Sequence, residues 1–265
     1  MTENIIQVKH TFGWIPDLPD FRDYTINIIY KPVDEKETLT QLPANVDLRS
    51  MCSKIEDQGN LGSCTSNAIV GNLEFLEIKD KIKVFEDLSR LFVYYNERVI
   101  EHSINYDNGA SLRDGIKTIA VQGACTEKLW SYDISKFKNK PNAVCYKDAL
   151  NHKATSYYRL NTSSQMRICL ADGYPFVFGF SVFESFESAK VANTGIVPMP
   201  NMNEQLLGGH AVCAVGYNDK EQRFLVRNSW GINWGQKGYF TIPYAYLEDR
   251  SLSDDFWTIR KATNM

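Results

Sequence analysis

Cys64 stands where a thiol could act as a nucleophile. It follows the turn-forming pair Gly62-Ser63 and directly precedes an apolar run over residues 68–78, in which large apolar side chains recur at helical spacing. A thiol at a helix N-terminus lies beside unpaired backbone N–H groups and the positive end of the helix dipole, and both favour the nucleophilic thiolate. The alternative is an ordinary buried cysteine, so a catalytic interpretation requires a base, a group that orients the base, and donors for an oxyanion.

His210 and Asn228 could supply the base and the orienting group. His210 begins a strand-like run after Gly208-Gly209, and Asn228 ends the partner run across a turn at Asn218-Asp219. The two residues nearly mirror each other about that turn, so an asparagine carbonyl could hold the imidazole. Taken alone, each residue is more often structural. Together with Cys64 they predict a nucleophile, a base and an orienting group.

Several short motifs resemble the papain/cathepsin cysteine peptidases, and the segment Gly13-Trp14-Ile15-Pro16-Asp17-Leu18-Pro19-Asp20-Phe21-Arg22-Asp23-Tyr24 resembles a short-pro-segment branch of bacterial and viral members. The order Gln, Cys, His, Asn matches that family, and His210 lies 146 residues after Cys64 (210 − 64), within the spacing usual for the family. The resemblance covers about residues 44–262. Its motifs are Gln58-Gly59, Gly62-Ser63-Cys64, Gly209-His210-Ala211-Val212, Asn228-Ser229-Trp230-Gly231, Trp234-Gly235 and Gly238-Tyr239.

The resemblance implies a role for each site residue. Cys64 would be the nucleophile, His210 the base and later the acid, and Asn228 the residue that orients His210. Gln58 would donate its side-chain amide to the oxyanion beside the Cys64 backbone N–H. Trp230 would cover the bond between His210 and Asn228. Substrate contacts are implied at Ser63, Gly109, Ala110, Gly209 and Trp230, with no metal and no cofactor.

Three departures from the family pattern stand out. The family usually has cysteine at the position of Leu61, bridged to the loop before Asn108; both partners are missing here, so Leu61 must pack instead. Thr65 replaces the usual Trp or Tyr after the nucleophile. The usual pro-region is a longer helical domain than 43 residues can form.

The order of elements predicts an α+β protein with a papain-like two-lobed fold. Helical patterns dominate residues 44–131, the lobe with the nucleophile, and strand patterns dominate residues 132–265, the lobe with the histidine and asparagine. The resemblance implies a helical left lobe, a β-barrel-like right lobe and an active-site cleft between them.

Residues 1–43 form an N-terminal pro-segment or strap in this interpretation. Trp14, Leu18, Phe21 and Tyr24 are costly to leave in water, so we expect an extended segment that lies against the body. Residues 31–40 read as a polar linker. The segment would inhibit the enzyme by lying over the cleft and be removed near residues 41–42. The alternative is a permanent strap that completes the fold.

Composition limits the partners. The 265-residue chain has a net charge of −3 and no long basic block, which argues against nucleic acid or an anionic membrane as a partner. No apolar run has the length of a transmembrane helix, and no signal peptide is visible, so the default location is intracellular, with secretion or packaging left open. Six cysteines without a C-x-x-C pair do not predict a disulfide scaffold. We expect a monomer.

The predicted function is a cysteine endopeptidase, made as a zymogen, that acts on peptides or proteins and binds its own N-terminal segment in the cleft. Side-chain preference is expected from residues near Ala211 and from the region 244–255. Two alternatives remain: a non-catalytic binding module on a peptidase fold, and an acyltransferase or ligase that uses the same Cys-His pair with an amine acceptor.

Overall fold

The helical lobe is built on three helices, each of which the sequence predicts. In the computed structural model, which describes residues 10–29, 40–81 and 85–263, they are α1 (Cys64–Lys79), α2 (Arg90–Ile100) and α3 (Leu112–Val121). Ser89 and Ser111 cap α2 and α3 by accepting backbone N–H bonds, as their side chains favour. Helix α1 is buried on all its faces over residues 64–77, which explains why its apolar residues are not confined to one stripe.

Four shorter helices follow. They are α4 (Ala143–Ala149), α5 (Ser163–Ala171), α6 (Ala189–Thr194) and α7 (Tyr244–Glu248). The sequence predicts α5, which ends before Gly173 at a positive φ of 80°. It does not predict α4, α6 or α7, which have five to seven residues and too few turns for a helical period to be visible.

The second lobe is an antiparallel sheet with spatial order β2-β7-β3-β4-β5-β6. Within the described residues it is an open sheet rather than a closed barrel. The predicted hairpin is β4 with β5, paired from Cys213 opposite Arg227 to Asn218 opposite Arg223. The strands are β1 (Asn45–Asp47), β2 (Ala154–Arg159), β3 (Phe176–Phe183), β4 (Leu206–Asn218), β5 (Arg223–Arg227), β6 (Tyr239–Pro243) and β7 (Ser253–Ala262).

One apolar core joins the two lobes. It contains Ile69 and Leu73 from α1 together with Val212 of β4 and an aromatic cluster around Phe176 and Phe178 of β3. Strand β1 also pairs with the far end of β4, so the chain enters the helical lobe from the sheet. The helix that carries Cys64 and the strand that carries His210 are therefore held by the same packed interior.

The N-terminal segment lies against the body, as expected, but of the four side chains expected to hold it there only Trp14 packs against the core. Leu18, Phe21 and Tyr24 are 81%, 99% and 61% exposed, so burial of these side chains does not hold it. The backbone at Trp14 and Ile15 instead bonds to both lobes, through the carbonyl oxygens of Gly209 at 2.9 Å and Ala110 at 3.0 Å. Most of the predicted linker, residues 30–39, lies outside the described residues.

Candidate active site

Cys64 is the first residue of α1, and its side chain is fully buried. Backbone N–H groups of Ala211, Gly13 and Thr65 donate towards its sulfur, and each of them lowers the thiol pKa. Burial outweighs these bonds and raises the pKa to about 12. The N–H of Ala211 brings the strand that carries His210 directly against the sulfur.

His210 is held as the sequence predicts. Its Nε2 donates to Oδ1 of Asn228 at 2.8 Å, and among the described residues its Nδ1 has no hydrogen-bond partner. The Trp230 ring stacks on the imidazole with a centroid distance of 4.7 Å. Burial lowers the pKa of His210 to about 4, because no solvent reaches the charged form. Burial therefore disfavours the charged forms of both Cys64 and His210.

Gln58 is buried behind the nucleophile and is held by Ser229. Its Oε1 accepts from Ser229 Oγ at 2.7 Å, and its backbone N–H donates to the Ser229 carbonyl at 2.9 Å. This leaves the amide Nε2 to donate, and it does so to the carbonyl oxygens of Leu61 at 3.0 Å and of Thr11 at 3.1 Å. A peptide carbonyl of the N-terminal segment therefore occupies the donor that the resemblance assigns to an oxyanion.

The N-terminal segment lies in the cleft directly at Cys64. The Gly13 N–H donates towards the Cys64 sulfur, and a Cβ on Gly13 would lie 1.9 Å from the Gly62 carbonyl oxygen. Earlier in the segment, the His10 ring stacks on the Trp230 ring with a centroid distance of 3.8 Å, and its Nδ1 bonds to Glu187 at 2.9 Å. The close approach of the segment backbone to Gly62 requires glycine at residue 13.

The loop before α3 pairs with extended backbone, as the sequence predicts. The N–H of Ala110 donates to the Gly13 carbonyl at 2.8 Å, and a Cβ on Gly109 would lie 2.0 Å from that oxygen. The backbone it pairs with here is the chain's own segment.

Asp107 holds this loop where the family disulfide is missing. Its carboxylate accepts from the Gly62 backbone N–H at 3.0 Å and from the Tyr94 hydroxyl. Leu61 packs beside it, buried against Leu91, Tyr94 and Ala110. All six cysteines, which lie in the described part of the chain, are free. Sequence reasoning missed Asp107.

The side chains of Ser63, an expected substrate contact, and Thr65, a departure from the family pattern, form their hydrogen bonds with residues outside the segment. The Ser63 side chain is fully buried, and its hydroxyl bonds to the Tyr132 hydroxyl and accepts from Asn67. Thr65 donates through Oγ1 to Glu97 Oε2 at 2.8 Å. Burial raises the pKa of Glu97 well above its ordinary value of 4.5, which favours the neutral acid next to the helix that begins at Cys64.

An ionic cluster that sequence reasoning missed anchors the segment. Asp17 and Asp23 of the segment meet Arg113 of α3 and Arg159 of β2, with the shortest contact 2.6 Å between Arg113 and Asp23. Arg159 also contacts Asp255 of β7 at 2.7 Å. The repeated aspartates of the segment were the local sign of this ionic cluster, but their basic partners are far away in the chain.

The described residues contain neither a cluster of metal ligands nor a helix able to cross a membrane. In residues 10–29, 40–81 and 85–263, no three His, Cys, Asp or Glu side chains are grouped so that they could hold a metal ion. Across the same ranges, each helix is too short or too polar to cross a membrane.

Comparisons with known proteins agree with this geometry. The family described as "Papain family cysteine protease" matches residues 42–250. An uncharacterized peptidase C1-like protein of Acanthamoeba polyphaga mimivirus is 42% identical, with 97% of this chain and 89% of that protein aligned. The chain therefore belongs to the papain family of cysteine proteases, which are hydrolases.

Solved structures and a curated relative extend the comparison. Xylellain, a cysteine protease from Xylella fastidiosa, is 42% identical, with a TM-score of 0.84 and 96% of both chains covered. The procathepsin B of Trypanosoma congolense, at 16% identity and a TM-score of 0.72 over 96% of this chain and 87% of that one, is similar in fold. Cysteine proteinase 3 of Entamoeba histolytica is 24% identical over 78% of this chain. The chain spans 65% of that relative's length.

Proposed function

We propose that this protease cleaves peptide bonds with Cys64 as nucleophile and His210 as general base and acid. The sulfur attacks the carbonyl carbon, His210 gives a proton to the leaving amine as the C–N bond breaks, and water then hydrolyses the thioester. Asn228 positions His210, and Gln58 donates to the oxyanion together with the Cys64 backbone N–H. The observation that carries this proposal is a peptide backbone seated at the sulfur with one carbonyl on the Gln58 amide.

We propose further that the N-terminal segment keeps the enzyme latent. The backbone of residues 11–15 takes the bonds that a substrate backbone would need at Gln58, Ala110 and Gly209. It also excludes water from Cys64 and His210, which favours the neutral thiol and imidazole over the reactive thiolate–imidazolium pair. The direction of both pKa shifts is the one expected for a latent state.

The nucleophile is tested by labelling with a thiol-reactive peptide epoxide together with peptide turnover. Cys64→Ala abolishes both, because the sulfur that forms the covalent bond is absent. Cys52→Ala is the matched control, since Cys52 is the cysteine with a partly exposed side chain, and this variant keeps both signals. Labelling and turnover that persist in Cys64→Ala exclude the proposal.

Latency is tested by Gly13→Ala in the full chain. The added methyl group would overlap the Gly62 carbonyl, so the segment leaves the cleft, and epoxide labelling becomes at least about tenfold faster. Ile15→Ala changes an exposed neighbour and keeps the wild-type rate. Mass spectrometry during incubation separates the two forms of inhibition: cleavage near residues 41–42 that accompanies turnover supports a removable pro-segment, and turnover by an intact chain excludes it.

A further inference from the structure

The Trp14 side chain fills a flat slot beside the nucleophile. A Cβ on Gly179 of β3 would lie 1.9 Å from the indole Cε2, and a Cβ on Gly209 of β4 would lie 2.8 Å from the indole Cε3. Any side chain at either position would fill the space of the ring. Two glycines on neighbouring strands therefore create a cavity with the shape of a planar group.

The slot has a polar floor. Asp255 of β7 is fully buried, and its Oδ2 accepts from the Trp14 indole Nε1 at 3.0 Å and from the Asp17 backbone N–H at 2.8 Å. Its backbone has a positive φ of 59°, a left-handed conformation that costs a non-glycine residue about 1 kcal/mol or more and that clusters at functional sites. A buried carboxylate oxygen that loses its donors is costly, so the floor requires an N–H or O–H group from whatever enters.

The charge of Asp255 is already balanced. Arg159 donates to Asp255 Oδ1 at 2.7 Å, and the neighbouring Asp254 contacts Arg159 and Arg250. A cationic side chain entering the slot would meet the positive charge of Arg159. A neutral donor such as an indole N–H satisfies Oδ2 without that repulsion.

The slot lies one residue from the sulfur. Gly13 touches Cys64, while the next residue, Trp14, donates its backbone N–H to the Gly209 carbonyl. A substrate backbone that uses the same bonds would direct one of its side chains into the same cavity. The slot is therefore placed to discriminate between substrates near the bond that is cut.

We propose that this slot selects substrates by a flat side chain with an N–H donor, and that tryptophan is the preferred residue. The inference rests on the proposed function. It makes Gly179, Gly209 and Asp255 the specificity-determining residues and makes Trp14 an internal copy of the preferred substrate side chain.

The test compares tryptophan with β-(3-benzothienyl)alanine, which has the same ring shape but sulfur in place of N–H. Each is placed in turn at the three positions before the scissile bond of an otherwise alanine-rich peptide, and kcat/KM is measured with the full-length Gly13→Ala chain. At one position we expect tryptophan to be cleaved about tenfold faster or more, because a hydrogen bond to a buried carboxylate is lost in the isostere.

Variants of the floor connect that preference to Asp255. In Asp255→Ala the ratio of the two peptides falls to about one, while Asp255→Asn, which keeps an acceptor oxygen and nearly the same volume, retains part of it. Equal cleavage of the two peptides at every position, or a preference that survives Asp255→Ala, overturns the inference and leaves the proposed function standing. Failure to cleave any peptide contradicts the proposed function instead.

A readout without turnover decides the inference in that case as well. Trp14→Phe removes the indole N–H in the full chain, and iodoacetamide alkylation of Cys64 reports how often the segment leaves the cleft. Trp14→Phe and Asp255→Ala each speed alkylation, and the double variant is little faster than Asp255→Ala alone, because the bond that Trp14→Phe removes is already absent there. Effects that multiply independently mean that the floor does not recognise the N–H group, and they overturn the inference.

Discussion

Glu97 shows how one buried residue sets conditions for the nucleophile. It lies in α2, its Oε2 accepts from Thr65, and among the described residues its Oε1 has no partner. A negative charge on Glu97 would raise the pKa of the Cys64 thiol further. Burial favours the neutral form of Glu97, and this form places no uncompensated charge in the core and no negative charge near Cys64.

We expect Glu97→Gln to stabilise the protein at alkaline pH. The pKa of Glu97 is raised in the folded chain, so the carboxyl stabilises the fold fully only below its ordinary value of 4.5 and loses that contribution as pH rises. An uncharged glutamine escapes this loss, and the variant gains on wild type by up to about 1.4 kcal/mol per pH unit. Urea unfolding at pH 5 and pH 8 measures the gain.

The exposed Glu86→Gln is the control for the Glu97 experiment, and it leaves the difference between the two pH values unchanged. A Glu97→Gln variant that is less stable than wild type at pH 8 contradicts a neutral acid at this position.

The candidate catalytic residues could be located from the sequence because each residue type follows from chemistry and sits in a local motif. Cys64, His210, Asn228 and Gln58 could each be located from a few neighbouring letters. Asp255, the floor of the Trp14 slot, could not be located in this way. It contacts Asp17, which is 238 residues away in the chain, and the two meet only after folding. Nothing local to either aspartate indicates the contact.

The N-terminal segment is an element whose attachment depends on charge. The Asp17 side chain is fully buried beside Asp255, Arg113, Arg159 and Trp257. Burial, and then the negative charge of Asp255, raise the pKa of Asp17 to about 7, although the backbone N–H and the charge of Arg113 and the Trp257 N–H act in the opposite direction. Docking of the segment is thus linked to protonation.

We expect the segment to bind more weakly as pH rises. A free Asp17 titrates near its ordinary value of 3.8 and the docked one near 7, so docking takes up a proton between these values and loses strength as pH rises through about 7. Between pH 5 and pH 8 the docking constant falls by up to about a hundredfold. The ratio of the Cys64 alkylation rate in wild type to that in Asp17→Asn therefore rises with pH.

Taking that ratio cancels the pH dependence of the thiol and of every other group that wild type and Asp17→Asn share. A ratio that stays constant from pH 5 to pH 8 means that Asp17 does not control release, and a ratio that falls reverses the sign of the linkage.

Among the secondary-structure elements, the long helices and the β4–β5 hairpin were predictable from the sequence, whereas the short helices and strand β2 were not. Helices α2 and α3 have clear caps and apolar faces. Strand β2 was missed because its residues are mostly half-buried, without the strict alternation that identifies a strand. The exposed Leu18 and Phe21 show that apolar residues in a short segment need not be buried when ion pairs hold it.

The whole molecule has two lobes that share a core and are bridged by the segment. The backbone of residues 13–15 bonds to Ala110 in the helical lobe and to Gly209 in the sheet. Below them, Arg227 of β5 reaches back to the carbonyl oxygens of Ser53 and Lys54. The segment and Arg227 thus each link the helical lobe to the sheet.

The clamp at Asp107 has a consequence for redox conditions. The loop that pairs with the segment backbone is held by hydrogen bonds to Gly62 and Tyr94, and the six thiols are unpaired. A strong reductant should therefore leave the thermal midpoint unchanged, which scanning calorimetry with and without dithiothreitol would measure; a lowered midpoint would reveal a stabilising disulfide. The reducing conditions that keep the Cys64 thiol unoxidised, as the proposed function requires, then do not loosen the loop at Asp107, so the proposed chemistry and the fold are served by the same oxidation state.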